Sequence, residues 1–356
     1  MELGIVGFPK AGKTTLFNTL TASHQDTDKF SSSRKTNMGV ASVPDRRLEQ
    51  LRDLFHPRRY VPATVTYVDV PGVKKGEGTE GLDLAELKNV DALVHVVRAF
   101  EDPEIPHPEG SVDPARDVEM FDLELILADH SLVERRVDRL AKAVKRGLTP
   151  EEKKEEELLK ATILPALEAE KPLRALELSG DDERRLRGFQ LLSAKPLLLV
   201  VNLDEARLPE AQTVLAGLPL GRGTTAVAIS APIEAEIAQL PAAEQADFLA
   251  ELGLSKPSLA RLIRASFDLL GLMAFFTVGE DEVRAWTLRR GTPARQAAGT
   301  IHSDLERGFI RAEVVRWDEL LREKTLATCR DKGLLRLEGK DYIVEDGDVL
   351  HVRFNV

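Results

Sequence analysis

The chain has 356 residues, 43% of them hydrophobic and 30% charged, with a formal net charge of −10. That length exceeds one ordinary core and predicts two or three domains of soluble globular composition. No apolar run approaches the roughly 18 residues of a membrane span, no charged-then-apolar leader opens the chain, the acidic balance argues against a general affinity for nucleic acid, and a single cysteine, Cys329, excludes an internal disulfide framework and fits a reducing cytoplasm.

The first element is a buried strand, Leu3-Gly4-Ile5-Val6, followed by Gly7-Phe8-Pro9-Lys10-Ala11-Gly12-Lys13-Thr14 and a helix from Thr14 to Leu20. Strand, glycine-bounded loop and helix in that order form a P-loop, whose backbone N–H groups and helix N-terminus surround phosphate oxygens. Lys10, Ala11, Gly12, Lys13, Thr14 and Thr15 are the expected nucleotide contacts. Lys13 is placed on the β- and γ-phosphates and the Thr14 hydroxyl on Mg²⁺. The next strand, Val65–Val68, ends in Asp69-Val70-Pro71-Gly72. That pattern puts the Asp69 carboxylate near the Mg²⁺ water shell and the Gly72 N–H near the γ-phosphate. The residue after Gly72 is Val73, which cannot orient a water as the Gln of regulatory GTPases does, so unaided hydrolysis is expected to be slow.

After the strand Ala92–Val97 and a proline-rich loop, the pattern turns helical from about Val118. Val133, Val137, Leu140 and Val144 recur as a heptad seam. Gly147 and Pro150 mark a turn, and helical composition resumes from Glu151 with Leu158, Leu159 and Ile163 on an apolar side. The reading is a two-helix arm ending near Lys195. Its first helix carries Arg135, Arg139, Lys142 and Arg146 as a single-signed stripe; Arg135 to Arg146 holds six basic residues and one acid. Such a stripe is either a solvated face or a surface for a phosphate backbone.

The apolar run Leu197–Val201 then delivers Asn202-Leu203-Asp204-Glu205 where regulatory GTPases carry Asn-Lys-x-Asp, and Ala226–Ile229 leads into Ser230-Ala231, which closes over the base. Leu203 replaces the lysine that packs along guanine, and Glu205 is one methylene longer than the aspartate that pairs with it. Unmade polar contacts discriminate strongly between bases, so this is a GTPase design with its guanine test altered. From about Met273 the hydrophobic runs Ala274–Val278, Gly308–Val315, Tyr342–Val344 and Val349–Phe354 predict a small α+β domain. With 14 Lys/Arg and 15 Asp/Glu from Met273 to Val356, its charge alone does not make it an RNA binder.

Together with Val43-Pro44-Asp45-Arg46-Arg47-Leu48, Asp91–Arg98, Val112-Asp113-Pro114, Arg284-Ala285-Trp286-Thr287, Gln296–His302, Glu306–Glu313 and Arg353-Phe354-Asn355-Val356, these motifs resemble the YchF or Obg-like ATPase family over nearly the whole length. The resemblance implies an α/β fold: a P-loop NTPase (Ras-like G domain) with an inserted helical coiled-coil arm and a C-terminal ubiquitin-like TGS domain. The expected division is 1–125 with 196–272 for the nucleotide-binding domain, 126–195 for the arm and 273–356 for the TGS-like domain. The resemblance further implies ATP (or GTP) as substrate with Mg²⁺, slow intrinsic hydrolysis, and association with the ribosome (70S or large subunit), with rRNA contact through the arm and no membrane.

His107 matches the family's mobile-loop histidine by position, a candidate for placing water; the alternative is an exposed loop histidine. Three departures stand out. The family P-loop reads Pro-Asn-Val-Gly-Lys-Ser, and here Lys10 takes the asparagine's place, either as a cation near the phosphates or facing solvent. Alignment on Asn37 and Val43-Pro44-Asp45 puts Ser33 at the Mg²⁺-sensing threonine of switch I, with Thr36 nearby. The segment Val73–Gly78 is shorter than in the family. These are the departures of a divergent paralogue.

Overall fold

The computed structural model describes all residues except 23–36, 71–83, 105, 145–146, 253, 255 and 356. The chain packs as two units, Met1–Val40 with Thr66–Ala265, and Ala41–Val65 with Ser266–Val356.

The strands up to the middle of the chain are β1 (Glu2–Val6), β2 (Asn37–Ser42), β3 (Arg59–Val61), β4 (Thr64–Asp69), β5 (Ala92–Ala99), β6 (Leu197–Leu203) and β7 (Thr224–Ile229). All but β3 join one six-stranded sheet, ordered β2-β4-β1-β5-β6-β7. The pairs β4–β1, β1–β5, β5–β6 and β6–β7 are parallel. Every residue of β5 and β6 is buried, including His95, Arg98 and Asn202, which is why both read as near-continuous apolar runs, without the alternation of a one-sided strand. Parallel order puts the carboxyl ends of β1, β4, β6 and β7 on one edge of the sheet. The P-loop, Asp69, Asn202 and Ser230 follow from that edge, where open α/β sheets bind ligands.

The helix Pro114–Ala143 starts with the Asp113 carboxylate accepting from the Arg116 N–H, with Pro114 in its first turn. Its first turns pack Val118, Phe121 and Leu125 against the sheet. Later ones place Ile126, Val133 and Leu140 in a separate core with Leu158, Leu159, Ile163, Leu167 and Leu173. The seam therefore stops at Leu140; Val144, expected to extend it, is 55% exposed. The return leg opens on a Thr149–Glu152 capping box and runs through Pro150–Leu158, a π-helical stretch Leu159–Ile163, and Leu164–Glu168. Pro165 has no N–H to offer the preceding turn, and the ladder widens just before it. The base of the arm is closed by Asp129, which is buried and accepts from the Leu192 N–H (2.8 Å), the Ser193 N–H (2.7 Å) and the Ser193 hydroxyl (2.6 Å).

The second unit is built on β8 (Leu272–Thr277), β9 (Glu282–Arg289), β10 (Phe309–Arg316), β11 (Arg336–Glu338) and β12 (Asp348–Phe354), in the order β11-β10-β12-β8-β9-β3. Met273, Phe275, Leu288, Ala297, Val314 and Leu350 fill its core. Tyr342–Val344, expected as a strand, contributes one isolated bridge from Ile343 to Pro293; Tyr342 closes a turn onto the Gly339 carbonyl instead. Residues 41–65, placed within 1–125 by the sequence reading, belong to this unit through β3, which lies parallel to β9.

Candidate nucleotide-binding site

The P-loop is shaped by hydrogen bonds to its own backbone. The Lys13 ammonium donates to the carbonyls of Gly7 and Phe8, both at 2.9 Å. Burial lowers its pKa from the ordinary lysine range, and the nearby Asp69 carboxylate works the other way. Asp69 is half-buried, and burial raises its carboxyl while Lys13 opposes the rise. The helix Lys13–Ala22 begins as the Leu16 N–H closes onto the Gly12 carbonyl at 2.9 Å. Ala11 is buried, whereas Lys10, Thr14 and Thr15 are exposed. Lys10 has φ +65°, a left-handed conformation that side chains other than Asn and Asp seldom adopt.

Asn202 ties this loop to the other side of the site. It is 3% exposed, its Nδ2 donates to the Ala11 carbonyl at 3.1 Å, and its Oδ1 accepts from the Ala231 N–H at 2.9 Å. Gly12 has φ +100°, and a Cβ there would stand 2.4 Å from Asn202 Nδ2. Between the two loops lies a cavity of about 250 Å³, with Gly12 and Thr15 at one end and Asn202 to Glu205 and Ser230 to Ile233 around the other. Phe100 and Glu236 complete its wall. Neither is marked in the sequence: Phe100 lies just past the Asp91–Arg98 match and carries no nucleotide signature, and Glu236 sits on a helix of ordinary composition. Leu203, while lining the cavity, is also part of the sheet core. A larger cleft of about 800 Å³ at the base of the arm, lined by Asp122, Arg174 and Leu220 among others, has no P-loop residue in its wall.

The structure thus gathers Gly12, Thr15, Asn202, Leu203, Glu205, Ser230 and Ala231 around one cavity, with Ala11 and Lys13 bonded into the same loop. Thr14 stands exposed on the first turn of the helix, and Asp69 ends β4 beside β1. Ser33, its alternative Thr36, and Gly72 lie outside the described residues, as do Val73 and Arg146.

His107 does not line the cavity. It is 9% exposed, so it is not the exposed loop histidine of the alternative reading. Its Nε2 lies 2.9 Å from the Asp117 carboxylate, and its Nδ1 accepts from the Glu109 N–H at 3.2 Å. Asp117 also holds Arg116, whose guanidinium reaches the Ser111 carbonyl.

Behind the P-loop, His95 on β5 is fully buried, and neither ring nitrogen has a hydrogen-bond partner among the described residues. Its ring lies against Phe121 (centroids 4.2 Å apart) and edge-on to Phe8 (6.4 Å). Burial, aided by the charges of Lys13 and Arg174, pushes its pKa down to about 3.

A family model described as "50S ribosome-binding GTPase" matches residues 2–133, and a YchF-GTPase C-terminal model, described as a protein of unknown function, matches 272–355. The chain is 42% identical to "Ribosome-binding ATPase YchF" of Bacillus subtilis, covering 100% of both chains. It is 36% identical to "Obg-like ATPase 1" of Oryza sativa, covering 100% of this chain and 92% of the relative. The solved structure of the Schizosaccharomyces pombe YchF GTPase superposes with a TM-score of 0.87 at 32% identity, covering 99% of this chain and 97% of that one.

Two outcomes follow from the geometry. Gly12→Ala forces a Cβ against Asn202 in a backbone conformation that L side chains avoid; strain of about 1–3 kcal/mol predicts nucleotide binding weakened roughly fivefold or more, with circular dichroism unchanged. Calorimetric affinity within twofold of wild type contradicts the packing described. His95 binds a proton near pH 6.5 when unfolded but only near 3 when folded. Between those values the unfolded state holds more protons, so stability falls as pH drops, by up to roughly 1.4 kcal/mol per pH unit from this group. His95→Phe removes that loss, and its melting temperature is expected to fall less than the wild type's between pH 7 and pH 5. Equal falls contradict it.

Proposed function

Because the chain belongs to the YchF family of P-loop NTPases, we propose that it is a Mg²⁺-dependent ATPase whose bound nucleotide sets its affinity for the ribosome. The observation that carries this reading is the single cavity running from Gly12 to Glu205 across the Asn202 bridge. Its phosphate end has the loop and Lys13. Its base end lacks the lysine and the short aspartate that a guanine reader needs: Leu203 is turned into the sheet core and Glu205 is exposed. Phe100 offers an aromatic face to a base, and the Glu236 carboxylate offers an acceptor to an exocyclic amine such as that of adenine.

The donor set fits Mg²⁺. Thr14 and Asp69 supply hard oxygens beside the phosphate loop, the ligand type Mg²⁺ takes when it shares its shell with phosphates and water. Among the described residues no group of three His, Cys, Asp or Glu would hold a metal by itself, in keeping with a cation that arrives with the nucleotide. When bound, it would neutralise phosphate charge. Slow intrinsic turnover follows from two facts: Val73 cannot orient water, and His107 must leave Asp117 before it can act on a phosphate. The same facts support a second reading, a nucleotide-gated binding module in which hydrolysis is incidental.

The partner enters through the relatives, which are named for ribosome binding; that also supports a cytoplasmic setting, and no helix of the described residues is long and apolar enough to cross a membrane. We assign the rRNA contact to the arm. Arg135, Arg139 and Lys142 are exposed on the helix Pro114–Ala143, while Arg136 is occupied by Glu155 at 2.6 Å. The three-domain division, with the arm as its own module, is part of this proposal. Co-sedimentation with ribosomes across a salt series, with and without a non-hydrolysable ATP analogue, tests it. Binding is expected to depend on the analogue, and Arg139→Glu with Lys142→Glu should weaken it and flatten its salt dependence by about 0.9 in log–log slope per lost phosphate contact. Variants that sediment like the wild type would leave the stripe as a solvated face.

A further inference from the structure

We propose that Lys10 is a catalytic residue: its ammonium bears on the oxygens around the γ-phosphorus of bound ATP and supplies, within the P-loop itself, part of the positive charge that phosphoryl transfer needs. The inference rests on the ATPase reading above and adds a role for a residue that the family pattern does not predict.

Three observations converge on it. Lys10 lies three residues before Lys13, in the loop whose backbone faces the phosphates, and it is held at φ +65°. Backbone in this region presents N–H groups to an anion, so the stem of Lys10 is rooted at the rim of the phosphate cradle. Next, the side chain is exposed, and no hydrogen-bond or ion-pair partner for it is found among the described residues. The neighbouring cations are engaged: Lys13 donates to two carbonyls and faces Asp69, and Arg98 is buried and donates to the Phe100 carbonyl. Finally, Asn or Gly would take this backbone conformation more readily. A lysine there sets local strain against whatever its ammonium gains, a pattern that clusters at functional sites.

The chemistry balances without a change in Lys10. Water's oxygen forms a bond to the γ-phosphorus as the bond from that phosphorus to the β–γ bridging oxygen breaks. ADP departs with the electron pair, and the proton lost by water ends on the released phosphate. Lys10 stays protonated, lowering the cost of charge that moves onto the bridging and equatorial oxygens. Neither Val73 nor His107, held by Asp117, provides that charge in the state described.

Single-turnover hydrolysis and ATP affinity of Lys10→Asn, Lys10→Gly and Lys10→Arg test the assignment, with Lys13→Ala alongside. Asn and Gly keep the left-handed backbone and remove the cation. The expected result is a rate lower by roughly tenfold or more for Asn and Gly, ATP affinity within about threefold of wild type, a smaller loss for Arg, and partial recovery of the Asn variant by ammonium chloride but not by tetramethylammonium chloride. Asn and Gly variants hydrolysing within twofold of wild type would overturn the proposal, and so would a loss confined to affinity. If wild type and Lys13→Ala hydrolyse ATP alike, it is the ATPase reading that falls; if Lys13→Ala is inactive and Lys10→Asn is not, only the Lys10 assignment falls.

Discussion

Asn202 is the buried hinge-pin of the nucleotide unit. One side-chain amide donates to Ala11 in the phosphate loop and accepts from Ala231 in the loop that closes over the base. At 3% exposure neither bond competes with bulk water, and losing one partner would leave a buried polar group unsatisfied, at a cost of about 1–3 kcal/mol. The spacing between the two ends of the nucleotide cavity is therefore set by one residue at the end of β6. Everything else adjusts to it: Gly12 must lack a Cβ, and β6 must be wholly buried to hold the amide still.

The long helix Pro114–Ala143 gives the site a second mechanical feature. Phe121 packs on His95 behind the P-loop, Asp117 one turn earlier holds His107, and Arg139 lies on the same helix roughly 27 Å along its axis from Phe121. In the proposed function this helix joins three things that must respond to nucleotide: the back of the phosphate loop, the histidine and the basic face of the arm. With no hydrogen-bond partner among the described residues, the His95 imidazole suits an apolar packing role between Phe8 and Phe121, since burial keeps it uncharged.

Much of this was legible in the residues. The glycine and lysine spacing of the P-loop, the apolar runs of β5 and β6 and the Asn202 motif are local signals, and local signals survive without a structure. The arm's seam was legible as far as Leu140, but periodicity alone could not say that Val144 falls beyond the partner leg. Long-range facts were not legible. The pairing of β3 with β9 joins segments more than 200 residues apart in sequence, and a three-residue strand such as Arg59–Val61 carries no pattern. Tyr342–Val344 has the composition of a strand, but its neighbour Thr292–Ala294 turns into a helix at Ala294, so the pairing stops at one bridge. The flanking prolines of His107 suggest an exposed loop, and nothing local to it points to Asp117, which reaches it from the next helix. Phe100 and Glu236 join the cavity only through the fold.

In the proposed function the Asn202-bridged cavity reads adenine in place of guanine, because a buried leucine and a glutamate one methylene too long stand where the guanine-testing residues would be. Its most direct test is the dissociation constant of the wild-type protein for ATP and for GTP, measured side by side at the same magnesium concentration. The account predicts tighter binding of ATP by roughly tenfold or more, about 1.4 kcal/mol. A tenfold preference for GTP would contradict it, whatever the hydrolysis rates turn out to be.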